Sequence, residues 1–137
     1  MVARFMLDTN ICIYLMKKQP IEVARRFAQC GVGDVVMSAI TYAELEYGVA
    51  ASANPEWERV NLDSLIEDIP VAPFDAVAGR AYGPIRLATR ESRADHLDIL
   101  IAAHAVALGV TVVTNNLRDF AKYPGVIAEN WLTPASS

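Results

Sequence analysis

Four acidic residues stand at the ends of predicted secondary-structure elements, where their side chains are available for chemistry. Asp8 follows the apolar run Phe5-Met6-Leu7, and the other three are Glu44, Asp98 and Asp119. In an open α/β sheet, ligands bind at the edge formed by the carboxyl ends of the strands. Carboxylates gathered at this edge repel one another, so they require either protonation or a bound cation. Mg²⁺ and Mn²⁺ take such oxygen ligands, and ions of this kind support hydrolysis of phosphate esters.

Each of these acids also has a purely structural explanation. Asp8 is equally explained as the cap of the helix that follows it. Glu44 has the spacing of a capping box with Thr41. Asp98 suits the first turn of a helix, and Asp119, in a predicted surface turn, is the weakest candidate for a site. Asp98 nevertheless opens an apolar segment, where a buried carboxylate needs a partner.

The elements that must position these acids alternate between strands and helices. Short apolar or β-branched runs predict strands at residues 5–7, 34–38, 69–71 and 110–114, with a last edge strand near Ile127. Apolar periodicity predicts helices that begin at Thr9 or Asn10, Pro20, Thr41, Asn54-Pro55 and Phe74-Asp75, the last interrupted by a kink at Gly83-Pro84. Residues 99–108 are apolar on every side, which predicts a buried helix that Gly109 ends. The alternation predicts an α/β fold with a mainly parallel sheet of four to five strands.

Composition favours one domain. A chain of 137 residues with 53% hydrophobic residues can bury a sizeable core without disulfides. The net charge of -4 argues against a protein that grips nucleic acid by bulk positive charge, which leaves only a local basic patch for that purpose. Cys12 and Cys30 lack CxxC spacing, and no apolar run has the length of a signal peptide or a membrane span. We therefore expect a cytoplasmic protein whose domain spans residues 1–132, followed by a flexible tail at 133–137.

Other chemistries fit the sequence less well. His96 and Asp98 are two residues apart and do not share a helix face, while His104 lies two turns further along. We therefore expect no zinc site and predict that His104 packs within its helix. The sequence contains no glycine-rich phosphate loop, nucleophile elbow or HExxH motif. The sequence therefore favours metal-dependent chemistry on phosphate esters.

Four blocks of the sequence resemble the PIN-domain ribonucleases, and specifically the VapC toxins of bacterial toxin–antitoxin pairs. They cover nearly the whole chain in the family's order: Phe5 to Ile13, Ser38 to Gly48, Asp98 to Ala105, and Val113 to Asn116 followed by Asp119-Phe120. This resemblance implies a PIN-like three-layer α/β/α sandwich around the central sheet. It also implies that the core metal-binding acids are Asp8, Glu44 and Asp98.

The fourth acidic position departs from the family pattern. Many members carry an Asp in the turn after the last strand, where this chain has Asn116. The resemblance therefore implies that Asp119 takes that role with the help of Thr114, with Asp95 as the reserve candidate. The Thr9-Asn10 pair is expected to form a polar wall of the same site.

The resemblance also implies a function. The implied function is that of a toxin in a type II toxin–antitoxin system. Such a toxin is an endoribonuclease that uses Mg²⁺ or Mn²⁺ to activate the water molecule that attacks a phosphodiester. The Leu-Asp-Thr-Asn-Ile-Cys opening is similar to enterobacterial members, for which the implied target is initiator transfer RNA. The implied partners are a cognate VapB antitoxin and a second copy of the chain, and Tyr42, Tyr47 and Trp57 belong either to such surfaces or to the core. Two alternatives stay open: a catalytically weak PIN-like module that binds RNA or protein, and a metal-dependent phosphatase.

RNA binding would require local positive charge. Arg86, Arg90 and Arg93 recur with helical spacing shortly before Asp98. They are candidates for contacts with RNA phosphates, although a solvated helix face explains their spacing equally well.

Overall fold

A parallel five-stranded sheet forms the centre of the protein. The computed structural model describes residues 2–132, in which the strands are β1 Phe5–Leu7, β2 Val35–Ser38, β3 Val71–Ala72, β4 Thr111–Val113 and β5 Ala128–Glu129. The helices are α1 Thr9–Lys17, α2 Ile21–Ala28, α3 Ala39–Ala50, α4 Pro55–Asp68, α5 Ala76–Ala88, α6 His96–Leu108 and α7 Leu117–Phe120. The strand order is β3-β2-β1-β4-β5, and all four pairings are parallel. The predicted α/β fold is confirmed, and β1 lies in the middle of the sheet.

Two hydrophobic cores cover the two faces of this sheet. Met6 and Leu7 are adjacent in β1 and therefore point to opposite faces, and both are fully buried. Leu7 packs in a core with residues of α1 to α4, whereas Met6 packs with residues of α5, α6 and α7. Burial on both faces explains why the strands read as continuous apolar runs. The result is the three-layer α/β/α sandwich that the resemblance implied.

One helix begins where the sequence predicted, and another begins earlier. Helix α1 begins at Thr9, and its N-cap is Asp8, one of the roles that the sequence left open for this residue; the Asp8 Oδ1 accepts a hydrogen bond of 3.1 Å from the Ile11 N–H. Thr9 and Asn10 are therefore not the cap. The predicted Thr41–Glu44 capping box was wrong. Helix α3 begins directly at the end of β2, where the Ser38 Oγ accepts a 3.0 Å hydrogen bond from the Ile40 N–H. Glu44 consequently lies in the second turn of α3 rather than at its start.

Helix α5 continues through the position where an interruption was predicted. Pro84 lies within its continuous span, Ala76–Ala88. A proline inside a helix removes one backbone hydrogen bond. Here the next residue, Ile85, is only 3% exposed in the core shared with α6, and this packing stabilises the helix across the proline.

The chain ends were also the subject of predictions. The flexible tail predicted at 133–137 lies outside the described residues. Among residues 2–132, none of the helices combines the length and the apolar composition needed to cross a membrane.

Candidate active site

Three buried polar residues lie side by side at the carboxyl edge of the sheet. The register of β1 with β2 and with β4 places Ser38, Asp8 and Thr114 at neighbouring positions. Their exposed fractions are 0%, 6% and 0%. Because buried polar groups need partners, this row marks the edge as a place where the fold maintains polar side chains at some cost.

Asp8 is the central residue of this row. Burial raises the pKa of its carboxyl, while hydrogen bonds from the Thr114 side chain and from the Ile11 and Asn10 backbone oppose that rise. The carboxylate thus faces a helix N-terminus and a hydroxyl at once. Thr114 thus contacts Asp8 through its side chain, whereas Asn10 contributes its backbone N–H and its side chain is exposed. Their roles as supporting residues of a site stay predictions.

Glu44 reaches the same edge from α3. Its Oε1 accepts a 2.8 Å hydrogen bond from the hydroxyl of Thr9, the residue that follows Asp8. This contact joins α1 to α3 through two residues that lie 35 positions apart in the sequence. Thr9 therefore lies beside Glu44, and its role as a polar wall of the site stays a prediction.

Asp98 lies close enough to the other acids to be affected by their charges. It lies half-buried in the first turn of α6, and its pKa is raised to about 7. Burial is the largest cause, and repulsion by four other carboxylates adds to it, namely those of Asp95, Asp8, Glu44 and Asp119. Side chains from β1, α3, α6 and α7 therefore act electrostatically on one carboxyl group. We call Asp8, Glu44, Asp98 and Asp119 the acidic edge.

The fourth corner of the acidic edge contains a hydrogen-bonded pair. The Asn116 side-chain amide donates a 2.8 Å hydrogen bond to Asp119, and this bond is the main cause of the lowered pKa of Asp119. Lys122 lies 3.4 Å from the other carboxylate oxygen. Asn116 thus orients Asp119. The reserve candidate Asp95 is engaged as the N-cap of α6, where its Oδ1 accepts hydrogen bonds from two backbone N–H groups, at 2.8 and 3.2 Å.

The acidic edge has a ligand set suited to a hard cation. Within residues 2–132, no three His, Cys, Asp or Glu side chains stand close enough to hold an ion by themselves. Mg²⁺ does not require this, because it usually keeps several waters and binds through one or two carboxylates. All donors at the acidic edge are oxygens, and the charges that raise the pKa of Asp98 are those of four other carboxylates. The residues present therefore fit Mg²⁺ or Mn²⁺.

Sequence reasoning missed the contact between Ser38 and His104. His104 is 1% exposed, as predicted for a packed helix residue, but its Nδ1 also lies 2.7 Å from the Ser38 Oγ. The contact ties α6, which carries Asp98, to the start of α3, which carries Glu44. Burial lowers the pKa of His104. The signal that could have found it is position, since Ser38 ends a strand just as Asp8 follows one.

The three arginines that the sequence grouped together do not lie on one helix. Of the three, Arg86 lies in α5, which ends at Ala88, whereas Arg90 and Arg93 belong to the turns that follow, so the prediction that they share a helix was wrong.

Two of the aromatic residues lie on the surface. The exposed fractions of Tyr47 and Trp57 are 75% and 59%, which assigns both to the surface rather than the core.

Comparison with known proteins identifies the family. The PIN domain pattern matches residues 5–126. The tRNA(fMet)-specific endonuclease VapC of Shigella flexneri is 38% identical over 130 residues, covering 93% of this chain and 98% of that protein.

Solved structures agree with this match. DNA-bound VapBC from Salmonella typhimurium contains a chain with a TM-score of 0.88 and 37% identity, covering 95% of this chain and 99% of that one. VapBC2 from Rickettsia felis, bound to a promoter DNA fragment, gives a TM-score of 0.84 with 33% identity, covering 93% and 98%. Together with the fold and the acidic edge, these likenesses show that the chain belongs to the VapC branch of the PIN-domain family.

Proposed function

We propose that this protein is the toxin of a VapBC toxin–antitoxin pair and that it hydrolyses RNA internally with the help of Mg²⁺ or Mn²⁺. The observation that carries the proposal is the raised pKa of Asp98, about 7, among four other carboxylates at the carboxyl edge of a parallel sheet. Such repulsion is relieved when a cation binds. The relatives named as VapC endonucleases and ribonucleases support the same conclusion.

The residues of the acidic edge would share the work as follows. Asp8 and Asp98 would hold the ion, with Glu44 and Asp119 completing the site. A bound divalent ion supplies an acidified water and neutralises charge on the substrate phosphate. The chain itself maintains the geometry: Thr114 and the first N–H groups of α1 orient Asp8, and Thr9 orients Glu44.

We propose initiator transfer RNA as the substrate. The supporting observation is likeness to the Shigella flexneri and Salmonella typhimurium proteins named tRNA(fMet)-specific endonuclease VapC, each 38% identical over 130 residues. A toxin with this substrate acts in the cytoplasm, where transfer RNA is found.

The partner follows from the same likeness. The structural neighbours from Salmonella typhimurium, Rickettsia felis and Haemophilus influenzae are VapBC complexes, which supports a VapB antitoxin for this chain. A largely apolar cavity of about 260 Å³ lies directly beside Glu44, lined in part by Ile13, Met16, Leu45 and Val49. We propose that an antitoxin segment lies there, next to the acidic edge, and that the toxin is a homodimer.

Cleavage of total transfer RNA tests the proposal. With Mg²⁺ present, the purified protein should cut initiator transfer RNA before other species, and mapping of the new ends should give one main position. EDTA should stop the reaction. Equal cleavage in EDTA would remove the metal from the proposal, and cleavage of other RNAs first would refute the substrate. Release of phosphate from small esters without RNA cleavage would favour the phosphatase alternative.

A further inference from the structure

A small cavity with the opposite charge lies close to the acidic edge. It measures about 160 Å³ and is formed where the turns after α5 lead into α6. Its polar lining comes from Arg86, Thr89, Arg90, Ser92 and His96, and we call it the arginine cavity. Among the described residues, none of those that line it carries a carboxylate. The arginine cavity is thus a concave basic surface on a protein whose net charge is -4.

Hydrogen bonds within the chain shape the arginine cavity. The Thr89 hydroxyl donates to the Ile85 carbonyl at 2.9 Å, and the Ser92 hydroxyl donates to the Thr89 carbonyl at 2.9 Å. Because these hydroxyl protons are engaged with the backbone, the side chains left to bind a ligand are the two guanidinium groups and the imidazole. Thr89 itself is only 6% exposed, so the turn that carries Arg90 is anchored in the protein.

Arg86 is held in place on one side. Its Nη1 donates a 2.9 Å hydrogen bond to the Tyr82 hydroxyl, and its guanidinium lies 5.8 Å from the centre of the Tyr82 ring. Among residues 2–132, the ion pair recorded for Arg90 is with Glu91, at 3.6 Å in an exposed pair that contributes little. Guanidinium groups bind phosphate through paired hydrogen bonds, and one that is already oriented loses less freedom when it does so.

The position of the arginine cavity links it to the acidic edge. His96 and Ile99 line the cavity, and Asp98 lies between them in the same helical turn. A helix with its side chains is about 10–12 Å across, so cavity and carboxylate are separated by no more than about that distance. The arginine cavity is therefore close enough to Asp98 for one RNA strand to contact both.

We propose that the arginine cavity binds one backbone phosphate of the RNA, a neighbour of the phosphodiester that lies at the acidic edge. This inference rests on the proposed function, and it specifies how an acidic protein holds a polyanion. Arg86 and Arg90 contact the phosphate, and His96 lines the cavity beside them. Arg93, which the sequence grouped with the other two, does not line the cavity and has no part in this contact.

Binding measurements test the inference separately from cleavage. Fluorescently labelled transfer RNA is titrated in Mg²⁺ with D98N protein, which serves as the reference. The same titration is made with D98N proteins that also carry R86Q, R90Q or both changes. Each single change should weaken binding about tenfold, as expected for loss of a charge-assisted hydrogen bond. The salt slope is the slope of the logarithm of affinity against the logarithm of salt concentration. Because both arginines contact one phosphate, its magnitude should fall by about 0.7, the value for one phosphate on a single strand, and it should fall no further in the double variant than in the single ones.

R80Q and R93Q are the matched controls. Both residues are exposed arginines close in sequence that do not line the arginine cavity, so their loss should leave affinity and salt slope nearly unchanged. The inference is overturned if R86Q and R90Q bind RNA like R80Q, or if the double variant loses two phosphates' worth of slope. Failure of the wild-type protein to cleave any RNA would instead overturn the proposed function, since the binding readout does not depend on cleavage.

Discussion

Asp98 and Glu46 are both partly buried carboxylates, yet their surroundings move their pKa values in opposite directions. Glu46 lies on α3 and accepts hydrogen bonds from Nη1 and Nη2 of Arg59 and from the Tyr42 hydroxyl. The Arg59 hydrogen bonds are the main cause of its pKa of about 2. Asp98 has carboxylates in place of the arginine, and its pKa is about 7. The chain thus compensates an acid that joins α3 to α4 and leaves one at the acidic edge without a cation of its own.

The largest expected difference between the two regions is in catalysis. Asp98→Asn should lower kcat/KM for RNA cleavage by at least about 100-fold, the scale on which loss of one group acting on the transition state reduces the rate. Glu46→Gln makes the same chemical change in the compensated region and should leave cleavage within about threefold of wild type. Circular dichroism confirms that both variants are folded. Equal loss of activity in the two variants would contradict a catalytic role specific to Asp98.

The second difference concerns metal binding. An ion that binds only the folded protein stabilises it by about 2.7 kcal/mol when its concentration is 100 times Kd. Thermal unfolding with EDTA and then with excess Mn²⁺ should show this rise in wild type and in Glu46→Gln, and not in Asp8→Asn or Asp98→Asn. A rise of equal size in Asp98→Asn would place the ion elsewhere.

The third difference is in the pH dependence of the metal-free protein. The folded pKa of Asp98, about 7, lies above the ordinary value of 3.8, so its proton favours the folded state. That stabilisation is complete below pH 3.8 and is lost as the pH rises through about 7. In EDTA, the unfolding temperature of Asp98→Asn relative to wild type should therefore rise between about pH 4 and 7 and level off at higher pH.

His104 acts in the opposite direction on the same measurement. Burial lowers its pKa below 6.5, so the unfolded state takes up its proton first and acid destabilises the fold below that pH. This contribution is the same in wild type and in Asp98→Asn, so the difference between their two curves isolates Asp98. Parallel curves between about pH 4 and 7 would contradict the assignment.

Much of the acidic edge follows from one general rule applied to this sequence. Parallel strands gather their carboxyl ends at one edge, and the apolar runs before Asp8 and Asn115 mark where two of these strands end. The all-round apolar character of α6 likewise follows from its burial. The four acids lie near enough to one another to raise the pKa of Asp98. Among residues 2–132, however, no three such side chains stand close enough to hold an ion by themselves, so the roles of the acids as ligands stay a prediction.

The features that the sequence did not predict depend on contacts between distant residues or on exact element ends. Ser38 and Thr41 are both good helix caps, and only the end of β2 decides that Ser38 caps α3. Because α5 ends at Ala88, Arg90 lies in the following turn, where it lines the arginine cavity. The amide of Asn116 orients Asp119 through a bond that composition alone does not predict.

The smallest expected effect lies in the compensated region itself. The folded pKa of Glu46, about 2, lies below its ordinary value of 4.5, so the ion pair with Arg59 stabilises the fold above pH 4.5 and is lost as the pH falls toward 2. Because the pair is partly exposed to solvent, Glu46→Gln should lower the unfolding temperature by only about 3 °C at pH 7. The deficit should shrink as the pH falls from 4.5 toward 2, and also in high salt, whereas the Asp98→Asn difference should grow with pH. If instead Glu46→Gln lost stability equally at pH 7 and at about pH 2, packing of the side chain rather than its charge would account for the contact.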